Sequence, residues 1–218
     1  MTEIWDDAHR KLAWLVMIRM RLSTNTEMNP TISNAYVYLQ KYFHSNTTVD
    51  YDLYIIIISA LVVAFKNEDL KWDIRRLFII FLRVCYDYEK SHIYSQDEII
   101  SLLNCGSLEQ RNISTLEESK VNDCEMDLLE ALNYETHVDL PFYYINTCLY
   151  QYVNTTDPTS TTEFYLDPKV LQDITKDFEL NVIKFFSAVE YLELPTPLIA
   201  TISLLQATKG KEIPSETT

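Results

Sequence analysis

Apolar residues recur every three or four positions along most of this chain, a spacing that places them on one face of an α-helix. The pattern predicts a series of amphipathic helices joined by polar segments. The predicted helices are one ending near Leu22, one over 33–44, one over 53–65, one over 74–85, a short one over 97–103, one over 117–134, one from 142, one beginning at Pro168 and one beginning at Pro197. We therefore expect an all-α protein.

The third predicted helix is apolar on every side. Nearly every residue from Leu53 to Phe65 is apolar, which is typical of a helix at the centre of a bundle. The run is shorter than the roughly 20 residues that a membrane span requires, so we interpret it as a core helix. The segment 66–69, of sequence Lys-Asn-Glu-Asp, follows at once. A buried helix with a charged end indicates a recognition surface more than a catalytic pocket.

The stretch 86–119 departs from the helical pattern. It is rich in polar residues and is expected to be irregular apart from the short helix inside it. The acidic pair Glu117 and Glu118 near its end is expected to be solvated.

Two dipeptides predict how the late helices begin. Asp167 precedes Pro168, and Thr196 precedes Pro197. A side-chain oxygen followed by proline often starts a helix, because the oxygen caps it and proline fits the first helical position. A Thr-Pro pair also fits a kinase phosphorylation site, but its position favours capping. We expect Asp167 and Thr196 to be N-cap residues.

The chain also resembles itself. The segment ETHVDLP, which ends at Pro141, breaks the helical pattern and predicts two domains, 1–137 and 138–218. A single ungapped offset aligns two helical segments of the first domain with two of the second. The aligned segments are 35–43 with 178–186 and 55–66 with 198–209. This alignment predicts a duplicated helical unit whose second copy stops after its third helix, near Lys209.

The composition favours a helical protein that binds other proteins. The chain has only two glycines, Gly106 and Gly210, so it can form few of the tight turns and phosphate-binding loops that glycine permits. Its formal net charge is -14. Binding to nucleic acid or to an anionic membrane needs clustered cations, so this charge disfavours both. We expect protein partners.

Patterns for catalysis or metal binding are weak. The cysteines are far apart and form no Cys-x-x-Cys pair, so we expect reduced, mostly buried thiols. They are Cys85, Cys105, Cys124 and Cys148. The chain has no Gly-x-Ser-x-Gly, His-Glu-x-x-His or phosphate-loop motif. We predict a protein that is not an enzyme and has no cofactor or metal site. The charged amino terminus lacks a secretory signal, which predicts an intracellular protein.

Three segments resemble the first repeat of a cyclin, in the same order. Residues 60–69, ALVVAFKNED, are similar to the cyclin-box hub helix, whose pattern is Ala-x-x-x-Ala-x-Lys-x-Glu followed by an acid. Residues 35–43 resemble the preceding helix. Residues 124–141 resemble the fifth helix, with its glutamate, its Leu-x-Tyr ending and its linker proline. Residues 138–218 resemble the second, more divergent repeat, most closely that of the transcription-associated cyclins of the H, C, K and T types.

The resemblance implies two tandem cyclin-like repeats, the second truncated. It implies a nuclear regulatory subunit that binds and activates a cyclin-dependent protein kinase acting on RNA polymerase II or its factors. By resemblance, Lys66 and Glu125 form the kinase-binding pair, and Leu129 and Tyr134 are apolar contacts beside them. The implied partner is this kinase, and the sequence leaves open whether a third assembly subunit joins the complex. Nucleic acid and membrane are not expected to bind.

Other interpretations stay open. Taken singly, Lys66 is a cation at a helix carboxyl end and Glu125 is a solvated surface residue. Leu129 and Tyr134, taken singly, are core residues. The alternative function is a cyclin-fold transcription factor without a kinase partner, or a helical adaptor. General initiation factors of that fold are basic, whereas this chain is acidic. The stretch 86–119 is also longer than cyclins usually carry between their fourth and fifth helices.

Overall fold

The computed structural model describes residues 5–24, 29–45, 50–71, 73–103, 114–156, 168–186 and 194–209. Within these ranges the chain forms nine α-helices and one short 3₁₀ helix, η1, with no strand, so the predicted all-α class is confirmed. The helices are α1 (Asp7–Thr24), α2 (Asn29–Ser45), α3 (Leu53–Asn67), α4 (Ile74–Lys90), α5 (Gln96–Leu103), α6 (Thr115–Ala131), η1 (Pro141–Tyr144), α7 (Ile145–Thr156), α8 (Pro168–Phe186) and α9 (Thr196–Thr208).

The chain divides into two compact units, Met1–Val138 and Asp139–Thr218. The first contains α1 to α6, and the second contains η1 and α7 to α9. None of the described helices combines the length and apolarity that crossing a membrane requires.

The helix α3 is the central helix of the first unit. Every residue from Leu53 to Phe65 is buried, as the apolar run predicts. The helix packs against α2, α4, α5 and α6. The hydroxyl of Ser59 lies 2.8 Å from the Ile55 carbonyl and 3.1 Å from the Val121 carbonyl of α6. The polar group inside the run is thus satisfied, which burial requires.

The helix α2 begins earlier than predicted. It starts at Asn29, whereas the apolar pattern places its start near Ser33. Pro30 therefore lies in the first turn, where its missing N–H breaks no intrahelical hydrogen bond. Pro30 is thus part of the helix start.

Capping explains the early start of α6. The Ser114 hydroxyl accepts from the Glu117 N–H at 3.2 Å, and the Glu117 carboxylate accepts from the Ser114 N–H at 2.9 Å. This is a capping box. The Tyr54 hydroxyl of α3 donates to the same carboxylate at 3.0 Å. Glu117 is buried, so the prediction that it is solvated is wrong. The stretch 86–119, predicted to be irregular, also begins as helix, because α4 continues to Lys90.

The second unit is built on the pair α8 and α9, which pack against each other and against η1. The rings of Phe142 in η1 and Phe186 in α8 lie with their centroids 6.1 Å apart. The Asn181 side-chain amide of α8 donates to the Ser203 carbonyl of α9 at 3.2 Å. Apolar and polar contacts therefore both join these helices.

The start of α9 corrects one prediction. Its N-cap is Pro195, and Thr196 is the first helical residue. The Thr196 hydroxyl donates to the Asp139 carbonyl at 3.3 Å and makes no capping hydrogen bond to α9. The capping role predicted for Thr196 is therefore wrong. Asp167 lies outside the described residues, and α8 begins at Pro168.

The segments that align within the sequence belong to two consecutive helix pairs. Residues 35–43 and 55–66 lie in α2 and α3, while 178–186 lie in α8 and 198–209 cover α9 and the residue after it. Each pair packs together within its own unit. The helices α3 and α9 differ in burial, since α3 is buried on all sides and α9 leaves leucines exposed on one side. The tandem cyclin-like arrangement stays a prediction.

Candidate functional site

The charged segment 66–69 forms the carboxyl end of α3 and the turn that follows. The helix ends at Asn67, and Asp69 has a φ of 54°, a left-handed conformation common where helices end. The Leu70 N–H donates to the Phe65 carbonyl at 2.8 Å and closes the turn. The first three side chains of the segment each have a hydrogen-bond partner elsewhere in the first unit.

Lys66 joins α3 to α6. Its Nζ lies 2.6 Å from Oε1 and 2.7 Å from Oε2 of Glu125. The Glu125 side chain is 12% exposed and the Lys66 side chain is 61% exposed. A nearly buried carboxylate is thus paired with a cation that faces solvent, through charge-assisted hydrogen bonds. The interpretation of Glu125 as a solvated surface residue is wrong, whereas Lys66 does lie in the last turn of α3.

The next two residues join α3 to other parts of the first unit. The Thr136 hydroxyl donates to Oδ1 of Asn67 at 2.7 Å, and the Tyr38 hydroxyl donates to the Thr136 carbonyl at 2.6 Å. The Asn34 amide of α2 donates to Oε1 of Glu68 at 3.2 Å. These contacts were not predicted. The contact of Glu68 could have been suspected from Asn34, a polar residue next to the apolar run of α2. A buried amide needs a hydrogen-bond partner.

The two predicted apolar contacts follow Glu125 in the chain. Leu129 lies one turn further along α6 and is half-buried, and Tyr134 comes just after the helix and is 61% exposed. The Tyr134 N–H donates to the Leu129 carbonyl at 2.8 Å, and Tyr134 has a φ of 59°. Its interpretation as a core residue is wrong. Among the described residues, its side chain makes no hydrogen bond to Lys66 or Glu125.

An open groove of about 550 Å³ lies beside Lys66. It extends from the last turns of α3 to the residue before α4. The lining residues are Val62, Phe65, Lys66, Asp69, Leu70, Lys71 and Asp73. Leu70, at the turn after α3, is an exposed apolar side chain. The groove combines an apolar lining with charges of both signs, which suits a protein segment.

A second ion pair joins α4 to α6. The Nε and Nη2 of Arg75 donate to the two carboxylate oxygens of Glu118 at 3.1 and 3.0 Å. The Arg75 guanidinium lowers the pKa of Glu118 below its ordinary value of 4.5. Glu118 lies about two turns before Glu125 on the same side of α6. Glu118 lies inside the predicted helix 117–134, and its ion pair with Arg75 was not predicted.

The cysteines that the structure describes are buried. Cys85, Cys124 and Cys148 are buried thiols, as predicted, and Cys105 lies outside the described residues. Burial raises the pKa of the Cys124 thiol to about 12, which keeps it protonated. No cluster of His, Cys, Asp or Glu within the described ranges has the arrangement of a metal site.

Comparison with known proteins does not identify a family. A scan of the chain against protein-family models found no match, and a search of curated proteins found no significant match. The cyclin resemblance therefore stays a prediction from the sequence motifs.

Proposed function

We propose that this chain is a cyclin-like regulatory subunit that binds and activates a cyclin-dependent protein kinase. The observation that carries the proposal is the Lys66–Glu125 ion pair, which joins the end of the hub helix to α6 and leaves the cation exposed. The sequence motifs assign kinase binding to the same two residues. The contact between these two residues across α3 and α6 supports that assignment.

The ion pair suits binding to the backbone of a partner helix. A lysine ammonium has three N–H donors, and the two Glu125 oxygens occupy two of them. The remaining donor of Lys66 is available to a partner carbonyl. Glu125 is nearly buried, so its carboxylate has little contact with water. It therefore holds the Lys66 ammonium in one position. A cation fixed in advance loses less freedom on binding than one that is mobile.

Apolar groups near this pair supply the hydrophobic part of such an interface. Tyr134 and Leu70 are exposed large side chains, and Leu129 is half-exposed one turn after Glu125. Tyrosine is one of the residues enriched in binding hot spots. The groove next to Lys66 has room for side chains of a partner helix, which is a common mode of helix recognition.

Kinase activation follows from binding the regulatory helix in its active position. A partner that binds only the active arrangement shifts the kinase population toward it. In the active arrangement, the kinase's own lysine–glutamate ion pair and its metal-binding groups are in place for phosphoryl transfer. In this proposal the chain itself carries no catalytic residue. The proposed complex is nuclear and acts on RNA polymerase II or its factors.

The test is recovery of the kinase with the tagged full-length chain from cells that express it. We expect wild type to retain one protein kinase in near-equal amount by quantitative mass spectrometry, and the complex to phosphorylate an RNA polymerase II substrate. Lys66→Ala with Glu125→Ala should reduce kinase recovery by about tenfold or more, because it removes the centre of the interface. Circular dichroism should show unchanged helicity.

A second double substitution is the matched control. Lys120→Ala with Asp127→Ala also removes one cation and one acid, and both residues lie on the far side of α6 from Glu125. This variant should retain the kinase. Undiminished kinase binding by the folded Lys66/Glu125 variant would contradict the proposed site. Reproducible absence of a kinase from the wild-type sample would favour a cyclin-fold transcription factor or helical adaptor.

A further inference from the structure

The exposed side of α4 has an unusual arrangement of side chains. Arg75, Ile79, Arg83, Tyr86 and Lys90 are all exposed and follow one another at intervals of three and four. At 100° per residue they fall within an arc of about 80° around the helix. We name these five residues the α4 stripe. It contains three cations, two large apolar side chains and no acid.

The charge of the α4 stripe differs from that of the chain as a whole. The chain has a formal net charge of -14, with 32 acidic and 18 basic residues. A positive surface on such a protein attracts an acidic partner, while the rest of the surface repels it. An acidic partner should therefore bind at the α4 stripe and not elsewhere on the surface.

The apolar members of the stripe set a distance requirement. Ile79 is 53% exposed and Tyr86 is 49% exposed. They are seven residues apart on one helix, which separates them by about 10.5 Å along its axis. The Nζ of Lys90 lies 5.9 Å from the centre of the Tyr86 ring, within range of a cation–π contact. That contact favours a defined orientation of the ring.

We propose that the α4 stripe is a docking surface for an acidic amphipathic helix of a partner protein, with apolar side chains seven residues apart. Two apolar residues at that spacing would contact Ile79 and Tyr86, and acidic residues beside them would pair with Arg83 and Lys90. The occupant is a protein helix, because the stripe places the exposed apolar side chains of Ile79 and Tyr86 between its cations at helical spacing, a pattern that an amphipathic helix matches.

This surface is separate from the proposed kinase site, and the inference does not depend on that function. Arg75 marks the border between the two, because its guanidinium pairs with Glu118 of α6. Arg83 and Lys90 lie two and four turns further along α4. They can be changed without altering the ion pairs at Glu118 and Glu125.

The direct test is fluorescence anisotropy with the full-length chain and a labelled peptide probe. The probe is a helical peptide of about 18 residues containing Glu and Leu, with leucines seven apart and glutamates around them. The comparison probe has the same composition in scrambled order. We expect the patterned probe to bind at least fivefold more tightly, and its affinity to fall as salt rises from about 0.05 M to about 0.5 M.

The substitution Arg83→Glu with Lys90→Glu should lower probe affinity by about tenfold, since both attractions become repulsions. Ile79→Ala should lower it about threefold through loss of apolar contact. The control is Lys176→Glu with Lys184→Glu, two exposed lysines of α8 in the second unit, which should bind the probe like wild type.

Three outcomes would overturn the docking surface. They are equal binding of the patterned and scrambled probes, undiminished binding by the folded Arg83/Lys90 variant, and binding of phosphatidylserine vesicles or a short single-stranded RNA in preference to the peptide. The Lys66/Glu125 variant should bind the probe normally. Loss of kinase recovery and loss of probe binding therefore report on different surfaces.

Discussion

The ion pairs Lys66–Glu125 and Arg75–Glu118 lie along one side of α6 but differ in the burial of their carboxylates. The Glu125 side chain is 12% exposed and that of Glu118 is 25% exposed. Losing Lys66 alone would leave a nearly buried carboxylate without its cation, at a cost of about 1–3 kcal/mol. The double substitution removes that buried charge as well, so it tests binding with less effect on folding than Lys66→Ala alone.

The pair Arg75–Glu118 predicts a specific dependence of stability on pH. The pKa of Glu118 is lower in the folded chain than its ordinary value. Such a group stabilises the fold above its unfolded pKa, and this contribution is lost as the pH falls through the folded pKa. We expect Glu118→Gln to be less stable than wild type at neutral pH, and this difference to disappear in acid.

Urea unfolding of both proteins from about pH 7 to about pH 3 would measure the difference. Glu130→Gln, at an exposed position of the same helix, is the control for loss of one carboxylate. A difference that stays constant down to the lowest pH would show that the Glu118 side chain acts through packing and not through its charge.

Among the elements, α3 determines the arrangement of the first unit. It is buried along its length and contacts four other helices, and the segment after it makes the polar contacts of the candidate site. The packing of the apolar core and the positions of the candidate-site side chains therefore depend on the same helix. A change that moved α3 would also move Lys66.

We expect Ile57→Ala, in the middle of α3, to destabilise the chain by about 2–5 kcal/mol, because Ile57 is fully buried and its loss leaves a cavity. The same substitution at Ile79 of α4 should cost less than about 0.5 kcal/mol, because that side chain is largely in solvent. Chemical denaturation gives both values. Equal costs at the two positions would contradict the central role of α3.

The sequence predicts a helix where apolar residues recur at helical spacing and the structure buries those same residues. The apolar run 53–65 predicts α3 well because a helix buried on all sides needs no polar face. The start of α6 was missed since capping, not apolar spacing, determines it, although Ser114 and Glu117 have the spacing of a capping box. The contacts of Asn67 and Glu68 were missed because they join residues distant in the chain, which no local pattern reveals.

At the scale of the whole molecule, the described helices belong to two compact units. In the first unit α3 packs against α2, α4, α5 and α6. Both ion pairs of the candidate site and the α4 stripe lie in the same unit. The features that carry both proposals are therefore encoded in one part of the chain.

We accordingly expect a fragment of residues 1–138 to fold by itself, with one cooperative thermal transition, because a chain of this size can bury about two thirds of its surface. It should also recover the kinase, since Lys66, Glu125, Leu129 and Tyr134 are all present. Residues 1–120 are the control, because that fragment lacks most of α6 and leaves one side of α3 uncovered. Circular dichroism melting distinguishes the two, and a broad, non-cooperative transition of the longer fragment would show that the first unit needs the second to fold.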